Sequence, residues 1–168
     1  AVIIVATVRA LKYNGGVAKA DLNNENLVAL KAGLPNLLKH VENITQVFKL
    51  PAVVAINELP LDTPAELALV KEECQKLGVN VAISQVWAKG GEGGKELAQE
   101  VIRLIDESKG TFEFSYDLDM SIKDKINAIA TKIYGADGVD YTPEADKQVA
   151  NLTKLGFDKV PICMAKTQ

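Results

Sequence analysis

Three stretches of the chain are apolar without the polar alternation of a half-wet strand. They are residues 1–8 (AVIIVATV), 51–56 (PAVVAI) and 79–83 (VNVAI); a fourth, 160–164 (VPICM), follows near the end. A strand exposed on one face alternates with period two. Unalternating runs suit strands covered on both faces, the condition of a parallel sheet. Parallel strands need crossover segments between them, and the intervening sequence is helical in pattern. The expectation is a layered, Rossmann-like α/β domain, with a mostly parallel sheet flanked by helices and right-handed crossovers. With no internal repeat, low-complexity segment or linker in the sequence, residues 1–168 read as a single domain.

The helical segments carry their own start and stop signals. Leu27, Leu30, Leu34, Leu37, Val41, Ile44 and Phe48 step by three and four and draw one apolar stripe. Gly33 and Pro35 fall inside it, which predicts a break or kink with Pro35 near the start of the second half. Thr63-Pro64-Ala65-Glu66 combines a capping box with proline at the first helical position, and Gly78 closes that helix. A helix from about Gly94 is expected to bury Leu97, Val101, Leu104 and Ile105. Ser121 caps another, carrying Ile122, Ile126, Ile129 and Ile133. Thr142-Pro143-Glu144 starts the last, which ends at Gly156. Residues 112–116 (FEFSY) alternate and read as an edge strand.

Composition narrows the class of partner. The chain has 48% hydrophobic and 24% charged residues, ordinary for a soluble domain long enough to bury a core. A net charge of −3, a pI near 5.3 and interspersed Lys and Glu argue against nucleic-acid and membrane partners, which favour basic surfaces. The apolar runs are far shorter than the roughly 20 residues that cross a bilayer. No secretory leader is visible, and the expectation is a cytoplasmic protein. Cys74 and Cys163 lie in apolar patterns without a CxxC pair and read as buried, reduced thiols. His40 is the only histidine and has no ligand-like neighbour, so no metal site is expected. A start without Met, inside a strand, reads as a piece of a longer protein.

In open α/β sheets, ligands bind beyond the carboxyl ends of the strands. Those ends lead here into residues 7–16 (TVRALKYNGG), 57–63 (NELPLDT), 84–94 (SQVWAKGGEGG) and 165–167 (AKT), so basic, amide, hydroxyl and glycine residues converge on one edge. The glycine cluster fails both phosphate fingerprints. A P-loop would need glycine at 89 and a hydroxyl at 96, which are Lys89 and Glu96; the dinucleotide pattern fails at Glu96 too. What remains is a backbone-rich loop before a helix. It either receives an anion or carbonyl, or is a tight turn requiring positive φ. Trp87, the single tryptophan, follows the third strand among polar neighbours. It either packs or stacks on a flat ligand, a contact typically worth about 1–3 kcal/mol. Arg9 and Lys12 are either surface charges or holders of a phosphate or carboxylate. Residues 134–139 (YGADGV) look like a helix end followed by a turn.

Taken together, ATVRALKYNGG (6–16), VVAINELPLDT (53–63), VWAKGGEGG (86–94), IYGADGV (133–139) and PICMAKTQ (161–168) closely resemble formate–tetrahydrofolate ligase, in order along the whole chain. The resemblance implies a cytoplasmic, homotetrameric enzyme that joins formate to tetrahydrofolate through formyl phosphate, giving 10-formyltetrahydrofolate. It implies ATP and magnesium (Mg2+) as requirements, with a monovalent cation besides. It places the pterin ring against Trp87, with Leu59 and Pro60 as the opposite wall and Ser84 on the folate side. It gives Arg9 and Lys12 electrostatic roles in catalysis. Lys89, Gly90, Gly91, Gly15 and Gly16 fall on the nucleotide or phosphate side.

Two positions depart from the family pattern. The segment NRFP reads Asn57-Glu58-Leu59-Pro60 here, so Leu59 replaces an aromatic residue and Glu58 an arginine. Leucine still offers apolar contact to a pterin but loses ring–ring interaction. Family members are longer and carry their P-loop upstream. This chain is therefore expected to hold much of the folate side without the main phosphate grip, and to be inactive alone. The alternative is a structural or assembly domain, partnered by the remainder of its own chain, with no ligand binding of its own.

Overall fold

The computed structural model describes residues 1–108 and 110–164. They fall into two compact units, Ala1–Phe112 and a second beginning at Glu113.

The first unit is built on a three-stranded sheet of β1 (Val2–Ala6), β2 (Ala52–Asn57) and β3 (Asn80–Ser84), in the order β1-β2-β3. Both pairings are parallel, with Ile4 opposite Val54 and Val54 opposite Val81. The three unalternating runs near the start are thus the three strands. Between β1 and β2 lie α1 (Val8–Asn14) and α2 (Leu27–Glu42); α3 (Pro64–Lys76) connects β2 to β3; α4 (Val86–Lys89) and α5 (Lys95–Glu107) follow β3.

One face of the sheet carries the core. Ala6, Val54, Ile56 and Val81 pack under Leu11, Leu30, Leu34, Leu37, Val41, Val70 and Cys74 from α1, α2 and α3. Each fully buried aliphatic side chain of this kind contributes about 1.5–3 kcal/mol. On the opposite face, Val53, Ala55 and Ala82 are buried, but Val5 of β1 is 68% exposed. Leu97, Val101 and Leu104 of α5 are half-buried, and Ile105 is exposed, contrary to the expectation of a fully buried stripe. A single helix covers that face within the unit, so the flanks of its apolar stripe stay outside.

α2 runs uninterrupted through Gly33 and Pro35, and then widens into a π turn at Asn43–Val47. The expected break does not occur. Proline removes one donor from the ladder, and packing of the apolar stripe holds the remainder. Gly33 serves the crossing of α1 and α2 instead: a Cβ there would stand 1.8 Å from the Leu11 carbonyl oxygen. Gly15 has the same relation to the Ala29 carbonyl oxygen, also at 1.8 Å.

The caps follow the sequence closely. Asn26 accepts from the Ala29 N–H, and the Thr63–Glu66 capping box is formed in both directions. Burial pushes the Cys74 thiol up to about 11, whereas Cys163 is exposed, contrary to expectation.

The second unit is helical. Ser121 caps α6 (Ile122–Ala128), which continues into a π turn at Ile129–Ile133; α7 (Pro143–Lys154) follows, and Gly156 ends it at φ 81°. No strand occurs among its described residues, so neither 112–116 nor 160–164 is the strand expected. Side chains occupy the backbone groups a strand partner would take. The Ile162 N–H donates to the Tyr116 hydroxyl at 2.7 Å, and the Val160 carbonyl accepts from the Lys125 ammonium at 3.1 Å. The polar segment 165–167 lies outside the described residues.

Candidate functional site

Because all three strands are parallel, their carboxyl ends open on the same edge of the first unit. The segment after β1 is a helix where a loop was expected. The Thr7 side chain accepts from the Ala10 N–H at 3.1 Å, starts α1 and sets Arg9 in its first turn.

Trp87, on α4, is 58% exposed, yet its indole N–H donates to the Glu58 carbonyl at 2.7 Å. Glu58 is the link between two strand ends. Its own N–H donates to the Ser84 carbonyl at 3.1 Å, and its carboxylate accepts from the Gln85 amide at 2.5 Å. An indole held by its N–H loses rotational freedom before any ligand arrives, which lowers the ordering cost of stacking on it.

The wall beyond Glu58 is a tight turn. The Leu59 N–H donates to the Asp62 carboxylate at 2.8 Å, and the Asp62 N–H returns to the Leu59 carbonyl at 3.0 Å. Leu59 is half-buried and Pro60 exposed. Burial removes solvent from the Asp62 carboxylate and raises its pKa, more than the Leu59 N–H lowers it. The turn borders a cleft of about 190 Å3 lined by Arg9, Leu22, Asn23, Leu59, Pro60, Leu61 and Asp62. Arg9 has no hydrogen bond or ion pair among the described residues.

Lys12, one turn further along α1, is placed differently. It is 1% exposed, its ammonium lies 2.8 Å from the fully buried Glu66 carboxylate, and it donates to the Asn24 carbonyl at 2.9 Å. Glu66 also accepts from the Asn26 and Thr63 N–H groups, each at 3.1 Å. Burial alone would raise the Glu66 pKa; the Lys12 ammonium and the two N–H groups outweigh it, so Glu66 ionises below its usual range. This pair ties α1, the segment before α2 and the start of α3 together, near enough to the Leu59–Asp62 turn that both charges act on Asp62. Sequence reasoning named Lys12 and missed Glu66 as its partner. Its only signal there was the capping box.

The glycine cluster follows α4 directly and forms a 3-10 turn, Gly90–Gly94, with Gly90 capping α4 at φ 55°. That backbone is the turn alternative expected from composition, and it needs glycine. Lys89, Gly90 and Gly91 are exposed beside Trp87 in sequence. Gly15 and Gly16 line a different depression, of about 510 Å3, with Val17, Asp21, Asn24 and Val28. The structure therefore brings Arg9, Leu59 and Pro60 to one cleft and ties Trp87 and Ser84 to that wall through Glu58. Among the described residues no three His, Cys, Asp or Glu side chains converge to hold a metal ion, and no helix is long and apolar enough to cross a membrane.

The first unit thus presents a pinned, exposed indole and an apolar turn at the carboxyl edge of its parallel sheet, the edge where open α/β sheets place their ligands. A family model of formate–tetrahydrofolate ligase matches residues 1–168, and the chain belongs to that family. The family's substrates are formate, tetrahydrofolate and ATP.

Proposed function

We propose that this chain supplies the folate-binding side of a ligase that converts formate, ATP and tetrahydrofolate into 10-formyltetrahydrofolate, ADP and phosphate. The observation that carries the reading is the bond from the Trp87 indole N–H to the Glu58 carbonyl. It ties one apolar plane to the residue that precedes Leu59 and Pro60. A pterin lies between them, its faces covered and its polar edge left to backbone and solvent.

The chemistry runs in two displacements. A formate oxygen takes the γ-phosphoryl group of ATP, forming formyl phosphate and releasing ADP. The folate N10 amine then attacks the formyl carbon; phosphate leaves and the nitrogen gives up its proton. The described residues do not fit the phosphoryl step, having neither a P-loop nor a cluster of metal ligands. That step, with its magnesium, belongs to groups outside this chain, and the isolated chain binds without turnover. A homotetrameric, cytoplasmic enzyme, as the resemblance implies, belongs to the same reading.

The test uses Trp87 as the only tryptophan. Titrating tetrahydrofolate under reducing conditions, with correction for ligand absorption, should give saturable quenching of indole fluorescence. Leu59→Phe should tighten binding by restoring ring–ring contact. A folded chain that shows no saturable change would overturn this reading in favour of a structural domain of the ligase.

A further inference from the structure

The pterin slot leaves one flank of the Leu59–Asp62 turn unexplained. The cleft on that flank shares Arg9 and Leu22 with a second depression, lined by Arg9, Ala10, Tyr13, Lys19 and Leu22. The two adjoin at Arg9 and Leu22, and together their linings run from the turn to Lys19, at the start of the short 3-10 helix Lys19–Asp21.

Charge is distributed unevenly along these linings. Asp62 lies at the turn, Arg9 in the middle and Lys19 at the far side. Arg9 has five guanidinium donors and, among the described residues, no acceptor. The Lys19 ammonium stands over the Tyr13 ring, 5.9 Å from its centroid, and has no carboxylate partner among the described residues. Lys12 cannot serve here, since Glu66 and the Asn24 carbonyl already take its ammonium. Besides the charges, the lining near the turn is apolar at Leu22, Leu59, Pro60 and Leu61, with Asn23 as its one neutral polar residue. An elongated ligand fits this pattern if its middle is flat and apolar and its far end anionic. The Asp62 carboxylate repels an anion near the turn, which fixes the direction of such a ligand.

We propose that these adjoining depressions are the subsite for the aminobenzoyl-glutamate arm of the folate. The aminobenzoyl ring rests on the Leu22 and Leu59–Leu61 lining, and the glutamate carboxylates meet Arg9 and Lys19. Guanidinium suits this task because its paired N–H groups match a carboxylate in plane. The inference rests on the pterin slot at Trp87; it shares Leu59 and Pro60 with that slot and adds Arg9, Lys19, Leu22 and Leu61 for a different part of the ligand.

Fluorescence titration of the 168-residue chain with tetrahydrofolate and with tetrahydropteroate, which lacks the glutamate, tests it. Wild type, Arg9→Gln and Lys19→Gln are compared, each checked for folding by circular dichroism. Wild type should bind tetrahydrofolate the tighter of the two. Arg9→Gln should weaken tetrahydrofolate about tenfold and leave tetrahydropteroate unchanged, the loss expected when a charge-assisted contact disappears. Lys19→Gln should show the same pattern, smaller and more sensitive to salt. Equal loss with both ligands would put Arg9 at the pterin or the reacting end and overturn the proposal. Indifference of all three proteins to the glutamate would also overturn it while leaving the slot intact. Failure of both ligands to quench a folded wild-type chain would instead remove the slot, and the arm subsite with it.

Discussion

Each unit of this protein buries a lysine, and the two do so by different means. Lys12 in the first unit faces a carboxylate, Glu66, at 2.8 Å. Lys125 in the second is 0% exposed and donates to the carbonyls of Asp158 at 2.6 Å and Val160 at 3.1 Å. The first arrangement joins segments far apart in sequence through opposite charges. The second fastens an extended segment by its backbone. Removing a partner therefore strands a charge in one unit and orphans neutral acceptors in the other.

The largest effect should come from Glu66→Ala, which leaves the Lys12 ammonium buried and unpaired; a loss of about 3–5 kcal/mol is expected in urea unfolding. Pairing Glu66→Leu with Lys12→Met should recover most of it. A double variant no more stable than Glu66→Ala would show that the ion pair is not what the site wall depends on. Lys125→Met should cost less, about 1–3 kcal/mol, because two carbonyls lose a donor but no charge is stranded. Hydrogen exchange should localise that loss to residues 157–162. A cost equal to that of Glu66→Ala would erase the distinction between the two lysines.

Acid sharpens the same contrast. The Glu66 pKa in the folded chain lies below its ordinary value of 4.5. Its stabilisation is therefore complete above that value and is lost as pH falls through the depressed folded pKa. Glu66→Gln should lower stability at neutral pH and flatten this part of the acid limb. Lys125→Met should leave the limb's shape unchanged, as carbonyl acceptors do not titrate. Trp87→Phe comes last in stability, within about 1 kcal/mol, since the exposed ring loses one hydrogen bond. Calorimetric folate binding should nevertheless weaken, because the plane is no longer pinned. An unchanged affinity would separate Trp87 from the slot.

Much of the first unit was legible because its signals are local. Unalternating runs mark β1, β2 and β3, and Thr63 acts where its capping box puts it, as Ser121 does in the second unit; the Asn26 cap was not anticipated. The same logic misled at 112–116 and 160–164, where short apolar runs look like strands but form none among the described residues. It also misled at Pro35, where tertiary packing carries α2 past a residue that disfavours it. At the site, Trp87 and Arg9 were legible as residue types at strand ends, and Leu59 and Pro60 through the family resemblance. Glu66 was not legible as the partner of Lys12, since 54 positions separate them and no periodic pattern reaches so far.

By itself the sequence determined the parallel α/β class, the caps, the failure of both phosphate motifs and the family resemblance. Each depends on neighbours along the chain or on residue identity, and needs no coordinates. Only the tertiary structure decided between Arg9 and Lys12, two cations three positions apart on one helix. Arg9 lines a cleft and has no partner among the described residues, while Lys12 is buried against a carboxylate from α3. A charge is free for a ligand only if no acid from elsewhere in the fold has reached it first, and that contact exists only once the distant segments have packed together.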